Sequence, residues 1–212
     1  MIVRKVTVPK TARYFLSAEP SAKIREVIVV CHGYAQLANE FLDGFSSVMN
    51  EHQLFVAPEG LHRFYHRGGG EKVVASWMTK EDRLDDIADY IGWLDAAAAD
   101  VLLLCPPDVK ITALGFSQGA ATVSRWASFG MTPIDHLVLW CGFFPPDLPL
   151  ENPLKCKELT VVTASDDKYI DAATEAKNLA SIATWFTTYK HLRFEGGHEL
   201  HAGTLSEVFT GK

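Results

Sequence analysis

The segment KITALGFSQGAATVSRWA, residues 110–127, leaves this chain few choices of architecture. An unbroken apolar run enters Gly115-Phe116-Ser117-Gln118-Gly119, and a helical pattern begins at once. A strand that turns within one residue into a helix brings two backbones too close for side chains. That explains Gly115 and Gly119 on either side of the serine, and the small Ala120 and Ala121 behind them. The turn is read as straining Ser117 and lifting its hydroxyl above the end of a sheet. GxSxG is common on its own; here the flanking strand and helix give it meaning.

The rest of the chain agrees with a mostly parallel central sheet covered by helices on both faces. Strand-like runs stand at 27–31, 54–57, 110–116, 136–141, 159–164 and 192–195, with nearly all-apolar centres, as strands buried on both faces require. Residues 12–16 are expected as an added antiparallel strand near the edge. Helical patterns fill 37–50, 80–98, 118–128, 172–183 and 203–208. The first places Leu37, Phe41, Phe45 and Val48 on one stripe; the second does so with Leu84, Ile87, Ile91, Leu94 and Ala98. The acidic face of the second reads as solvated, with Thr79 and Asp82 as a capping pair. Two loops stand out. Residues 60–76 (GLHRFYHRGGGEKVVAS) are long and glycine-rich, do not fit a phosphate loop, and are expected to form a mobile rim. Residues 143–153 (FFPPDLPLENP) are stiffened by proline and leave no room for a cap insertion.

No repeat or linker divides the 212 residues, so a single domain 1–212 is expected. A chain with 48% apolar residues can bury a core without metals or disulfides, and a net charge of −6 speaks against a nucleic-acid partner. The longest apolar run, 96–105, is broken by Asp100 and falls short of the ~20 residues a bilayer needs, so no integral membrane association is expected. No secretory leader is read in MIVRKVTVPK. Four cysteines, 31, 105, 141 and 156, admit two disulfides, but three sit in or beside strand-like runs. Buried free thiols, and a cytoplasmic protein, are the expectation.

A serine hydroxyl is a weak nucleophile and needs a base oriented by a carboxylate. Behind such an elbow the chain order is serine, acid, histidine. His136 and His191 open strands and read as structural. His198 follows the last strand in a glycine-released turn and is the candidate base, with His201 an exposed neighbour. HELH at 198–201 lacks the spacing of a zinc protease, so no metal site is read. The acid is Asp166 or Asp167, at the end of LTVVTA; the motif alone does not separate them. An oxyanion needs two backbone N–H donors. Gln118, after the serine, supplies one; the loop VIVVCHGYAQ supplies the other at Tyr34, reached through Gly33, with His32 orienting the loop.

The pieces CHGY, APEG, SWM, GFSQGAA, WCGFFPP, TASDDKYI and FEGGHEL, in this order, resemble the small phospholipase/carboxylesterase family of α/β-hydrolases, which includes acyl-protein thioesterases. The resemblance covers nearly everything from Val27 onward. It implies an α/β-hydrolase fold with minimal or no cap, no cofactor, and a small-molecule ester or thioester as substrate. The family's acid lies three residues after a glycine and three before an aliphatic residue. Ala164, Asp167 and Ile170 keep that spacing, which favours Asp167. Thr163-Ala164 stands where the family has His-Gly, and Tyr34 where it has an aliphatic residue. The resemblance also puts Trp77 beside the pocket, and Phe143 and Phe144 fall on a loop expected to rim the serine. The expected activity is a serine hydrolase cleaving carboxylic esters, with thioesters and lysophospholipids as further substrates, through an acyl-enzyme with a Ser117-Asp167-His198 triad. Two other classes remain: a non-catalytic small-molecule binder on this fold, and a partner-binding domain. The full Ser-Asp-His set argues against the first, and the lack of an apolar stripe or charged tail against the second. A homodimer is compatible with the sequence, and nothing in it specifies one.

Overall fold

The computed structural model describes residues 1–66, 71–148, 154 and 156–211. In chain order the elements are β1 (Tyr14–Leu16), β2 (Glu26–Cys31), α1 (Ala38–Asp43), β3 (Gln53–Pro58), β4 (His62–Tyr65), β5 (Val73–Ser76), α2 (Arg83–Leu102), β6 (Lys110–Phe116), α3 (Gln118–Phe129), β7 (His136–Trp140), β8 (Glu158–Ala164), α4 (Ala172–Ile182), β9 (Lys190–Phe194) and α5 (Ala202–Phe209). The main sheet runs β1-β3-β2-β6-β7-β8-β9. All its pairings are parallel except β1 with β3, the antiparallel edge strand the sequence suggests.

Because side chains alternate along a strand, each strand feeds two cores. Val27, Val29 and Cys31 pack with Tyr90 and Leu94 of α2, Val123 and Trp126 of α3 and Ile182 of α4. Ile28 and Val30 face the other way, onto Phe41 and Leu42 of α1 and Leu205 of α5. The parallel strands all end on one rim. The chain reverses its direction of growth between β2 and β6, so the loops leaving those neighbours part and open a crevice.

Three elements differ from the sequence reading. The helix expected over 37–50 is α-helical only to Asp43; beyond it, bonds from Phe45 N–H to Leu42 O and Val48 N–H to Phe45 O tighten the turns. Phe45 and Val48 still reach the core. The helix α2 begins at Arg83 without the Thr79–Asp82 cap. Asp82 sits at φ 46° and its carboxylate accepts from Lys5 at 2.7 Å, while Asp86 takes the Thr79 N–H at 3.0 Å. Leu84, expected on the buried stripe, is 70% exposed; the buried face of α2 begins one turn later, at Ile87. The stretch 60–76, expected as a mobile rim, carries the antiparallel hairpin β4–β5 with register His62 to Ser76. Its glycine run at 68–70 lies outside the described residues, as does 149–153 of the proline-rich loop.

Candidate active site

Ser117 joins β6 to α3 at φ 54°, ψ −115°, a backbone state that costs roughly 1–3 kcal/mol for a residue with a side chain. The surroundings enforce it. A Cβ on Gly115 would lie 2.1 Å from Gly119 O, and one on Gly119 would lie 2.1 Å from Cys31 O. Ser117 N–H donates to Trp140 O at 2.9 Å, and a Cβ on Gly142 would lie 2.7 Å from Ser117 O. The serine is thus wedged between the ends of β2 and β7. Ala35 and Cys141, in the loops leaving those two strands, also have positive φ, 59° and 46°. Ser117 Oγ makes no hydrogen bond among the described residues.

The loop after β2 is held from below. The His32 ring is buried; its Nδ1–H donates to Gly33 O at 2.7 Å, and its Nε2 accepts the Gly60 N–H at 3.0 Å. Burial lowers the His32 pKa, and these two bonds fit the neutral ring. Gly33 N–H is taken by Gln36 Oε1 at 2.7 Å, and Ala35 N–H by Ala75 O at 2.9 Å. The N–H groups of Tyr34 and Gln118 have no such acceptor among the described residues, and Gln118 directly follows the serine. The Gln118 side chain closes the arrangement: Oε1 accepts from Ser76 Oγ and Trp77 N–H, and Nε2 donates to Met78 O. The β4–β5 hairpin therefore fastens both candidate donors. It is scaffold, not lid.

Trp77 corrects an expectation. Its side chain is fully buried, stacked on His32 at 5.0 Å, and its Nε1–H donates to His32 O at 2.8 Å. Tyr90 packs on its other side. A ring sealed under the loop cannot line a substrate pocket; Trp77 carries the loop that bears Tyr34. Phe143 and Phe144 are half-buried beyond Gly142. Phe144 packs onto Trp185 and Phe186 at 6.1 and 6.4 Å, while Phe143 directly follows Gly142, the glycine that abuts Ser117.

Asp167 and His198, at the ends of β8 and β9, meet directly: Nδ1 to Oδ2 is 2.7 Å, with the side chains 10% and 3% exposed for histidine and aspartate. Asp167 Oδ1 accepts the Tyr169 N–H at 2.9 Å, which fixes the carboxylate. Asp166 is exposed, and among the described residues its carboxylate accepts from Ser165 Oγ alone, at 3.0 Å. The His198 ring lies against Phe116, the residue before the serine, at 4.8 Å. The other three histidines after Ser117 have structural partners. His136 bonds Thr160, His191 bonds Thr163, and His201 caps α5 by accepting the Thr204 N–H.

A cleft of about 330 Å³ opens beside His198, between Gln36, Glu40, Phe41, Phe116 and Leu200. Two residues of this site escaped the sequence reading. Tyr169, 69% exposed, stands edge-on to the His198 ring at 4.7 Å. Cys141 is buried beside Asp167, and burial, aided by that carboxylate's charge, pushes its thiol up to about 12. An aromatic two places after the acid is a weak signal for the first; nothing in the sequence distinguishes Cys141 from a core cysteine.

The sequence matches no protein-family model and no curated protein. Solved structures do resemble it. Esterase PE8 aligns with TM-score 0.70 and 19% identity over 95% of this chain and 96% of its own. A Zea mays acyl-protein thioesterase 2 aligns at 0.66 and 17%, over 95% and 97%. A phospholipase/carboxylesterase from Dyadobacter fermentans aligns at 0.68 and 13%, over 97% and 98%. The elbow, the strand order and the loops at the parallel ends accordingly make up an α/β-hydrolase fold, shared end to end with these proteins.

Proposed function

We propose that this protein is a serine hydrolase that cleaves carboxylic esters or thioesters through an acyl-enzyme. One observation carries the reading: the buried 2.7 Å contact of His198 Nδ1 with Asp167, in the loops beside a serine held at φ 54°. In this reading Ser117 Oγ attacks the carbonyl carbon while His198 Nε2 takes its proton. Asp167 accepts the Nδ1–H and stabilises the imidazolium. The Tyr34 and Gln118 N–H groups receive the developing oxyanion. The proton then passes from Nε2 to the leaving alcohol or thiol, and water repeats the cycle on the acyl-enzyme. Ser117 Oγ makes no hydrogen bond among the described residues; in this reading its bond to His198 Nε2 forms when substrate arrives, as catalytic bonds often do. The esterase, thioesterase and carboxylesterase neighbours support the same chemistry. The reading places the protein in the cytoplasm, where widely spaced thiols stay reduced. Among the described residues no helix is long and apolar enough to cross a membrane.

In this reading Phe143 is the apolar wall for the acyl group, and the segment 143–153 is too short in sequence to form a cap. Each buried methylene adds ~0.8 kcal/mol only until the wall ends. Short or medium acyl esters are therefore the proposed substrates. The test is a p-nitrophenyl ester series of rising acyl length, kept below micelle formation, with Ser117→Ala as control. A maximum at short or medium length that vanishes in the control supports the reading. Equal rates with Ser117→Ala would refute it.

A further inference from the structure

We propose that Cys141, Asp167 and His198 form a binding site for one thiophilic divalent cation of the zinc type, which switches the histidine off. The Cys141 sulfur, a carboxylate oxygen of Asp167 and a ring nitrogen of His198 all lie within 4.8 Å of one another. No other trio of this kind occurs among the described residues. The three come from the ends of adjacent strands β7, β8 and β9, so the sheet itself sets their spacing. The turn at Cys141, φ 46°, holds its side chain at this rim.

The donor set is selective. One sulfur, one imidazole nitrogen and one carboxylate oxygen suit zinc-like ions, whereas magnesium and calcium ask for oxygens throughout. Tetrahedral coordination spaces such donors ~3.3–3.6 Å apart, so the Asp167–His198 pair would open by ~0.6 Å and the sulfur would move in by about 1 Å. Both are side-chain adjustments. A thiolate and a carboxylate also balance a dication, so the filled site is neutral, which a buried position requires. Of the three donors, His198 borders the neighbouring cleft.

The protons balance as follows. The cation takes Nδ1, whose proton is carried on Nε2 in the other neutral tautomer. The Cys141 thiol yields one proton to solvent, and no electrons move. With Nε2 protonated, the ring cannot accept the Ser117 proton. This inhibitory consequence rests on the catalytic reading above; the binding does not.

The experiment titrates Co²⁺, then Zn²⁺ as competitor, into the full chain and into Ser117→Ala. A thiolate-to-cobalt charge-transfer band should appear in both and be displaced by Zn²⁺, with one proton released per ion. Cys141→Ser and Cys141→Ala, shown folded by circular dichroism, should lose the band and bind Zn²⁺ at least about tenfold more weakly. Should either fail to fold, Asp167→Asn must weaken binding similarly. Zn²⁺ should inhibit ester hydrolysis at the same midpoint as binding, with reversal by chelator and with each variant measured against its own metal-free rate. Absence of ester hydrolysis by the metal-free full chain, with the cobalt band still formed on titration, would overturn the catalytic reading alone. A band or an inhibition midpoint unchanged in the Cys141 variants, or no binding at submillimolar Zn²⁺, would overturn the site.

Discussion

Two adjacent aspartates offer the sharpest test at the scale of single residues. Asp167 is buried against His198, while Asp166 faces solvent. Asp167→Asn should lower kcat by roughly 10³–10⁴-fold, as loss of the orienting carboxylate does, and Asp166→Asn should do far less. A reversed order, read from steady-state kinetics, would make Asp166 the acid. The family spacing had pointed to Asp167, but the residues alone could not, because a turn aspartate and an orienting aspartate look the same until their side chains are placed. Trp77 shows the opposite case. An aromatic beside the site reads as pocket lining, yet its indole N–H donates to His32 O and its ring is sealed. Trp77→Ala should cost about 3–5 kcal/mol in chemical unfolding, as large-to-small core changes do. It should also lower kcat by loosening the Tyr34 loop, while leaving the acyl-length profile in place; a shifted profile would return Trp77 to the pocket.

Among the elements, the β6–α3 elbow is the most constrained. Gly119→Ala would push a methyl into Cys31 O at 2.1 Å, so the variant should fail to accumulate as folded protein. Gly92, in α2, meets nothing within 4 Å, and Gly92→Ala should stabilise the fold by about 0.5–1 kcal/mol in the same denaturant titration. Folded, active Gly119→Ala would show that the crossing is looser than described. The elbow and the strand pattern were legible because sterics and two-sided burial write themselves into composition. Elements at the margin were not. The hairpin β4–β5 has an alternating, half-exposed strand, and its glycines suggested a loop; its stability comes from tertiary bonds such as Gln118 to Ser76, Trp77 and Met78, which no local pattern announces. The cap expected for α2 failed for a similar reason, since Lys5 claims Asp82 from far along the chain.

For the molecule as a whole, buried neutral histidines tie stability to pH. Burial lowers the pKa of His32 and of His136 below the ordinary histidine value. In the unfolded chain both take up a proton near pH 6.5; in the folded chain only at lower pH. Their contribution is therefore complete above about pH 6.5 and is lost as pH falls towards the folded-state values. Asp95 adds a second loss in more acid solution. Burial pushes its carboxyl up, but bonds from Met131 N–H, the Trp126 indole and Thr132 outweigh this and hold it below the usual range. The melting temperature by calorimetry should be level between about pH 7 and 8 and fall below about pH 6.5. A flat profile down to pH 5 would mean that these histidines are hydrated.

The account turns on whether the strained serine at the end of β6 is a nucleophile. Treatment with a fluorophosphonate probe measures this most directly, since only an activated hydroxyl displaces the fluoride and keeps the phosphonyl group. The account predicts one adduct per chain, mapped by peptide mass spectrometry to Ser117, absent in Ser117→Ala and slowed in Asp167→Asn. Labelling of Ser117→Ala at the unaltered rate, or an adduct mapped to another serine, would contradict it.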